Sequence, residues 1–166
     1  MNSFNNKNGY SLIETVVYVA LIAVMLIIST SSIISVYRTF GVLRTERKIS
    51  INGETAIETM IRDIRAATST SVTSSVFGTN PGVLRMNSIK FSLNGTTQLY
   101  KQDGSNSPQP ITGSDVRVTN LVFYRAQSPV VLSELITVNM TIEAGGGSFT
   151  KSVPFSGSAV LRGSYK

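Results

Sequence analysis

Residues 9–36 read GYSLIE (Gly9–Glu14) followed by TVVYVALIAVMLIISTSSIISV (Thr15–Val36), and this stretch decides the fold. From Thr15 to Tyr37 there are 23 consecutive residues without a charge. That exceeds the roughly 20 apolar residues a transmembrane helix needs. Its many β-branched residues are poor helix formers in water, but in lipid the backbone must satisfy itself internally, which favours helix. The single acid at its start, Glu14, is out of place in a secretory signal, which carries its charge before the apolar core. Ser29, Thr30, Ser31 and Ser32 lower the hydropathy of the second half. They read equally as a polar dip near the membrane exit or as small residues permitting close helix–helix approach.

No proline occurs before Pro81, so the helix can continue beyond the span. Ile49, Gly53, Ala56, Ile57, Met60, Ile64 and Ala67 form one stripe at a period of 3.6, opposite Glu54, Glu58, Arg62 and Arg65. Glu58 and Arg62 are spaced for an i,i+4 ion pair. A helix over about 11–67 would be on the order of 85 Å long at 1.5 Å per residue. Gly41 and Gly53 are its expected weak points, each costing about 1 kcal/mol relative to Ala.

Composition removes most chemistry. The 166 residues contain no Cys and no His, which excludes disulfides, thiol catalysis, zinc sites and the commonest general base. No nucleophile–base pair or phosphate loop is present, so no catalytic residue is assigned and the chain is expected not to be an enzyme. Asp103-Gly-Ser-Asn106 matches a fragment of a calcium loop but lacks the later ligands, so no metal or cofactor is assigned. The net charge of +6 is spread along the chain rather than clustered with aromatics, as a nucleic-acid site would require. Tyr100, Tyr124 and Tyr165 read as strand packing rather than recognition. Arg38, Arg44, Arg47 and Lys48 follow the span, whereas Lys7 alone precedes it. On charge asymmetry alone, the C-terminal part would be cytoplasmic.

After Ala67 comes a Ser/Thr-rich connection, TSTSVTSSVFGTNPG (68–82), and then alternation of period two. Residues 88–93 and 96–101 predict a β-hairpin around a two-residue Asn94-Gly95 turn. Residues 102–114 predict a loop, and 115–125 and 135–143 two longer strands. Val116 and Val118 are out of phase with Leu121 and Phe123, which predicts a bulge near Asn120. Ile136, Val138, Met140 and Ile142 share a face. Gly145-Gly-Gly147 turns the chain into a strand over 148–155, with Pro154 marking its end. One antiparallel sheet of four to six strands needs its apolar face covered, and the helical stripe has the character to do it.

GYSLIE before an uncharged apolar helix resembles the prepilin signal of type IV pilins and type II secretion pseudopilins. That resemblance implies residues 1–9 as a leader, cut by a prepilin peptidase between Gly9 and Tyr10, with Tyr10 then N-methylated. It implies residues 10–37 as a helix held in inner-membrane lipid and later in a filament core. Glu14 would be a subunit-assembly contact, its charge met by the N-terminal ammonium of a neighbour. Residues 38–67 continue the helix in amphipathic form, and 68–166 form the β-sheet domain. The fold class implied by both routes is α+β, a long N-terminal helix packed on a small antiparallel sheet, the pilin-like lollipop. The absence of a midway proline is closer to minor subunits, and Thr59–Ala67 looks like the J-type minor pseudopilins. The function this implies is a minor pilin or pseudopilin, with other such subunits as partners and the C-terminal domain outside the cytoplasm. Two alternatives stand beside it: a competence pilin that binds DNA, and an uncleaved single-span membrane-anchored protein.

Overall fold

A computed structural model describes residues 11–71, 73–95, 97–127 and 133–162, excepting the Ser148 side chain. The chain divides into two compact units, residues 1–41 and 42–166. One helix, α1 (Leu12–Ala66), contributes to both. Glu14 in its first turn and Arg65 in its last complement the helix dipole. At its C-terminus the Ala67 amide is shared between the Asp63 and Ile64 carbonyls. The fold is α+β, as the periodicities require: a long N-terminal helix and antiparallel strands.

In the first unit, the large apolar side chains from Leu12 to Phe40 are 48–83% exposed. In the second, the expected stripe is the one that is covered. Ile49, Gly53, Ala56, Met60, Ile64 and Ala67 are buried and Ile57 half-buried. Thr45 and Asp63 extend that face with polar atoms. Asp63 accepts a 2.6 Å hydrogen bond from Lys101 Nζ. Arg62 points its Nε to Asp63, at 3.8 Å.

The strands are β1 (Leu84–Met86), β2 (Ile89–Asn94), β3 (Gln98–Asp103), β4 (Gln109–Pro110), β5 (Val116–Gln127), β6 (Glu134–Ala144) and β7 (Lys151–Val160). They form two sheets rather than the single sheet expected, ordered β1-β2-β3-β4 and β5-β6-β7, and every pairing is antiparallel. The hairpin β2–β3 pairs Asn94 with Gln98, so its connection has one residue more than a two-residue Asn-Gly turn. Gly95 sits at φ +64°, where glycine carries no Cβ penalty. The predicted loop 102–114 contains the short strand β4.

The bulge lies where the phase change places it, between Val118 and Asn120. Beside it the Val118 amide donates to the Thr97 carbonyl at 2.8 Å, joining the two sheets. A bulge bends its strand and raises the local twist. β5 pairs with β6 on both sides of the bulge, from Val116 opposite Ala144 to Gln127 opposite Glu134. Ile136, Val138, Met140 and Ile142 are all buried.

The last strand does not end at Pro154; it continues to Val160, with Pro154 opposite Thr141. β7 is an edge strand, where a residue without an amide hydrogen removes no ladder bond. At the opposite edge, the Ser/Thr-rich connection lies along β5. Gly78 and Gly82 amides donate to the Phe123 and Leu121 carbonyls, and Asn80 Oδ1 accepts from the Leu121 amide. The middle of that strand edge, at Leu121 and Phe123, is thereby covered, which blocks pairing with another chain there. Farther along, Arg125 Nη2 and Thr70 Oγ1 each donate to Glu134 at 2.6 Å. Burial alone would raise the Glu134 carboxyl, but these bonds and the Arg125 charge hold it below the usual carboxylate range.

Polar contacts also fasten α1 to the sheets. Lys48 pairs with Asp115 at 3.4 Å, Lys151 with Glu46, and Asn52 Oδ1 accepts from the Gly113 amide at 2.7 Å. Gly53 is no weak point. A Cβ there would fall inside the van der Waals envelope of the Phe155 ring, so helix and strand approach this closely only because the residue is glycine. The backbone cost of a helical glycine is outweighed by close packing. Gly53→Ala should therefore destabilise the second unit by about 1–3 kcal/mol through overpacking, despite alanine's better helix propensity. Thermal unfolding of the full chain in detergent checks this; Phe155→Leu should restore part of the loss in the double variant.

Candidate functional site

Glu14 lies in the first turn of α1, half-buried, with apolar side chains before and after it. A carboxylate placed in hydrocarbon costs at least about 2.5–3.5 kcal/mol on insertion scales. The structure supplies part of the compensation from within the chain. Tyr18, one helical turn later, donates its Oη hydrogen to Glu14 Oε1 at 3.2 Å. Residues four apart share a helix face, so the backbone alone sets this geometry. Tyr18 was legible as a partner from that spacing, yet it reads first as one more amphipathic aromatic in the span.

The hydroxyls farther along are internally satisfied too. Ser31 and Ser32 donate to the Ile27 and Ile28 carbonyls, both at 2.9 Å, and Thr39 to the Ser35 carbonyl at 3.0 Å. Such back-bonding hides a hydroxyl from an apolar surrounding without a second helix. The small Ser31–Ser32 surface stays open to close approach. α1 is long and apolar enough to cross a membrane, and none of its most apolar stretch is buried.

The expected cleavage and methylation positions, Gly9 and Tyr10, lie outside the described residues, as does Tyr165. Of the basic residues after the span, Arg38, Arg44 and Arg47 are exposed, and Lys48 is engaged by Asp115. In the calcium-like fragment, Asp103 Oδ1 accepts a 2.9 Å hydrogen bond from Ser88 and is held in the sheet's own network. Tyr124 is 48% exposed on β5, although strand packing was the expectation. Among the described residues no cluster of acidic side chains has the geometry of a metal site.

The chemistry available is thus that of a contact. A negative group sits at one end of an uncovered apolar helix, bonded to a single hydroxyl and with further acceptor capacity. The chain matches no family model, no curated protein and no solved structure.

The Glu14–Tyr18 bond is measurable by a double-variant cycle on membrane insertion of the full chain. Glu14→Ala, Tyr18→Phe and the pair should give a favourable coupling of about 0.5–1.5 kcal/mol. Additive effects would show that the hydroxyl does not support the acid in lipid.

Proposed function

We propose that this chain is a pilin-like structural subunit rather than an enzyme, a minor pilin or pseudopilin of a type IV pilus or type II secretion filament. One observation carries the reading: an apolar helix left uncovered by its own chain, with a carboxylate near its start. In a monomer, lipid covers the helix. In a filament, neighbouring helices of the same kind replace the lipid and remove the same apolar area from contact with it. Glu14 then exchanges its single hydroxyl for the ammonium of a neighbour, an opposite charge in a low dielectric. A buried charge whose partner is missing is costly, so the pairing favours one axial position over others.

The reading requires a free α-amino group close to Glu14, which cleavage between Gly9 and Tyr10 by a prepilin peptidase provides. Tyr10 then becomes the N-terminal residue and the site of N-methylation. The chain starts in the inner membrane with the sheet domain outside the cytoplasm, against the charge asymmetry of Arg38, Arg44 and Arg47. The folded second unit supports this placement, since large domains translocate with little regard to flanking charge. The Thr59–Ala67 resemblance favours a J-type minor pseudopilin among such subunits.

Intact mass of the chain purified from native membranes tests this. The expected product lacks Met1–Gly9 and carries a methyl group on Tyr10. A chain that retains Met1–Gly9 would instead be an uncleaved, single-span anchored protein.

A further inference from the structure

The bulge in β5 stands beside a depression on the second sheet, on the face turned away from α1. Phe155 and Gly157 of β7 meet the helix at Gly53, Ile57 and Ile61, so α1 covers one face and not the other. Residues directly opposite one another share a face, and the register gives three rows on the uncovered one. Thr119 is the bulged residue without a partner; past it Asn120 stands opposite Thr141, and Thr141 opposite Pro154. The next row is Val122, Asn139 and Ser156. In the third, Tyr124 lies beside Thr137 and Ser158, whose hydroxyls bond each other at 2.9 Å. A cavity of about 400 Å³ is lined by the polar side chains of the first two rows and by Pro154. Two residues of strand advance about 6.8 Å and strands lie about 4.8 Å apart, so the three rows cover roughly 14 by 10 Å.

No residue in the three rows is charged; the nearest charges on that face are Arg117 and Glu143, one row beyond Asn120. An anion or a metal ion therefore finds no counter-charge, and a nucleic acid no basic stripe. Exposed apolar surface is limited to the Tyr124 ring and Pro154, with Val122 buried as the floor of the middle row. That is too little for the core of a protein interface. Among the described residues, the side chains of Asn120, Asn139, Thr141 and Ser156 make no hydrogen bond, and the first three are half-buried. Each of these amides and hydroxyls offers both a donor and an acceptor. Displacing water from such groups without loss takes a ligand that reproduces their bonds.

We propose that this face binds neutral oligosaccharides. A sugar ring is uncharged, presents adjacent hydroxyls that an amide meets as donor and acceptor together, and offers a C–H face that stacks on an aromatic ring. Asn120, Asn139, Thr141 and Ser156 hold the hydroxyls of one sugar, and Tyr124, one row further, stacks under the next. The extra residue of the bulge sets Asn120 opposite Thr141 and so brings its amide to the cavity, the re-aiming of a side chain that bulges provide. An open site of this kind binds weakly, with a Kd on the order of 1 mM. The second unit alone carries it, so the inference does not depend on the filament reading.

Saturation-transfer NMR on the full chain tests this, in a detergent without a sugar head group. The probes are neutral α- and β-linked oligosaccharides of glucose, galactose, mannose and N-acetylglucosamine. At least one should receive saturation, with an affinity unchanged between about 50 and 500 mM salt, because no charge is involved. Tyr124→Ala and Asn139→Asp should each weaken it about tenfold, the loss of one stacking or hydrogen-bonding contact. Both should unfold at the temperature of the parent chain, and Arg117→Gln should leave the affinity unchanged. No saturation of any probe overturns the proposal. So does binding that survives both substitutions, or a preference for sulfated over neutral sugars that vanishes in high salt. Self-association that Tyr124→Ala abolishes, without any sugar response, also overturns it and assigns the face to a second copy of the chain.

Discussion

Apolar side chains from Leu12 to Phe40 leave about half or more of their surface uncovered, and among the described residues of the first unit no other element buries them. At about 25 cal/mol per Å² of apolar area, a helix of this length cannot face water without a large penalty. Lipid or other helices must therefore complete it. Every polar group on the segment is read against that requirement. Ser31, Ser32 and Thr39 satisfy it by bonding their own helix, and Glu14 does so in part through Tyr18. The carboxylate keeps acceptor capacity that one hydroxyl does not fill. That remaining capacity is what gives the segment a preference among possible neighbours.

The second unit solves the opposite problem, making a small core sufficient. The buried stripe from Ile49 to Ala67 covers residues of both sheets, and Phe155 reaches the helix backbone at Gly53. Four polar contacts join the helix to the strands and their connections, at Glu46, Lys48, Asn52 and Asp63. Residues 78–82 cover the edge of β5 at Leu121 and Phe123, and Pro154 interrupts the donors of β7 at the other edge. A small sheet domain needs its edges blocked, because unpaired strands invite association in the wrong geometry.

Periodic features were legible in the sequence, and features that depend on distant partners were not. The helix bounds, the buried stripe, the shared face of β6 and the bulge beside Asn120 all follow from spacing. The division into two sheets depends on which distant strands pair, and spacing along the chain does not show that. Gly53 reads as a helix weakness because its reason, Phe155, lies about a hundred residues away. Pro154 reads as a strand end because the sequence does not reveal which strands are edges. The hairpin was placed correctly, but Asn94 belongs to its first strand and pairs with Gln98, so the connection is one residue longer than the Asn94-Gly95 turn expected. In the candidate site, Glu14 stood out as a charge in an apolar run, whereas Tyr18 blended into its surroundings.

The claim that matters most is that Glu14 meets the N-terminal amine of a neighbouring copy. Carbodiimide treatment of native membranes and sheared filaments tests it directly, because the reagent joins a carboxylate to an amine only when they touch. Peptide mass analysis should find the Glu14 side chain joined by an amide bond to the α-amino group of Tyr10 from another chain. Recovery of Glu14 only in unlinked peptides, from filaments that contain this chain, would contradict the pairing.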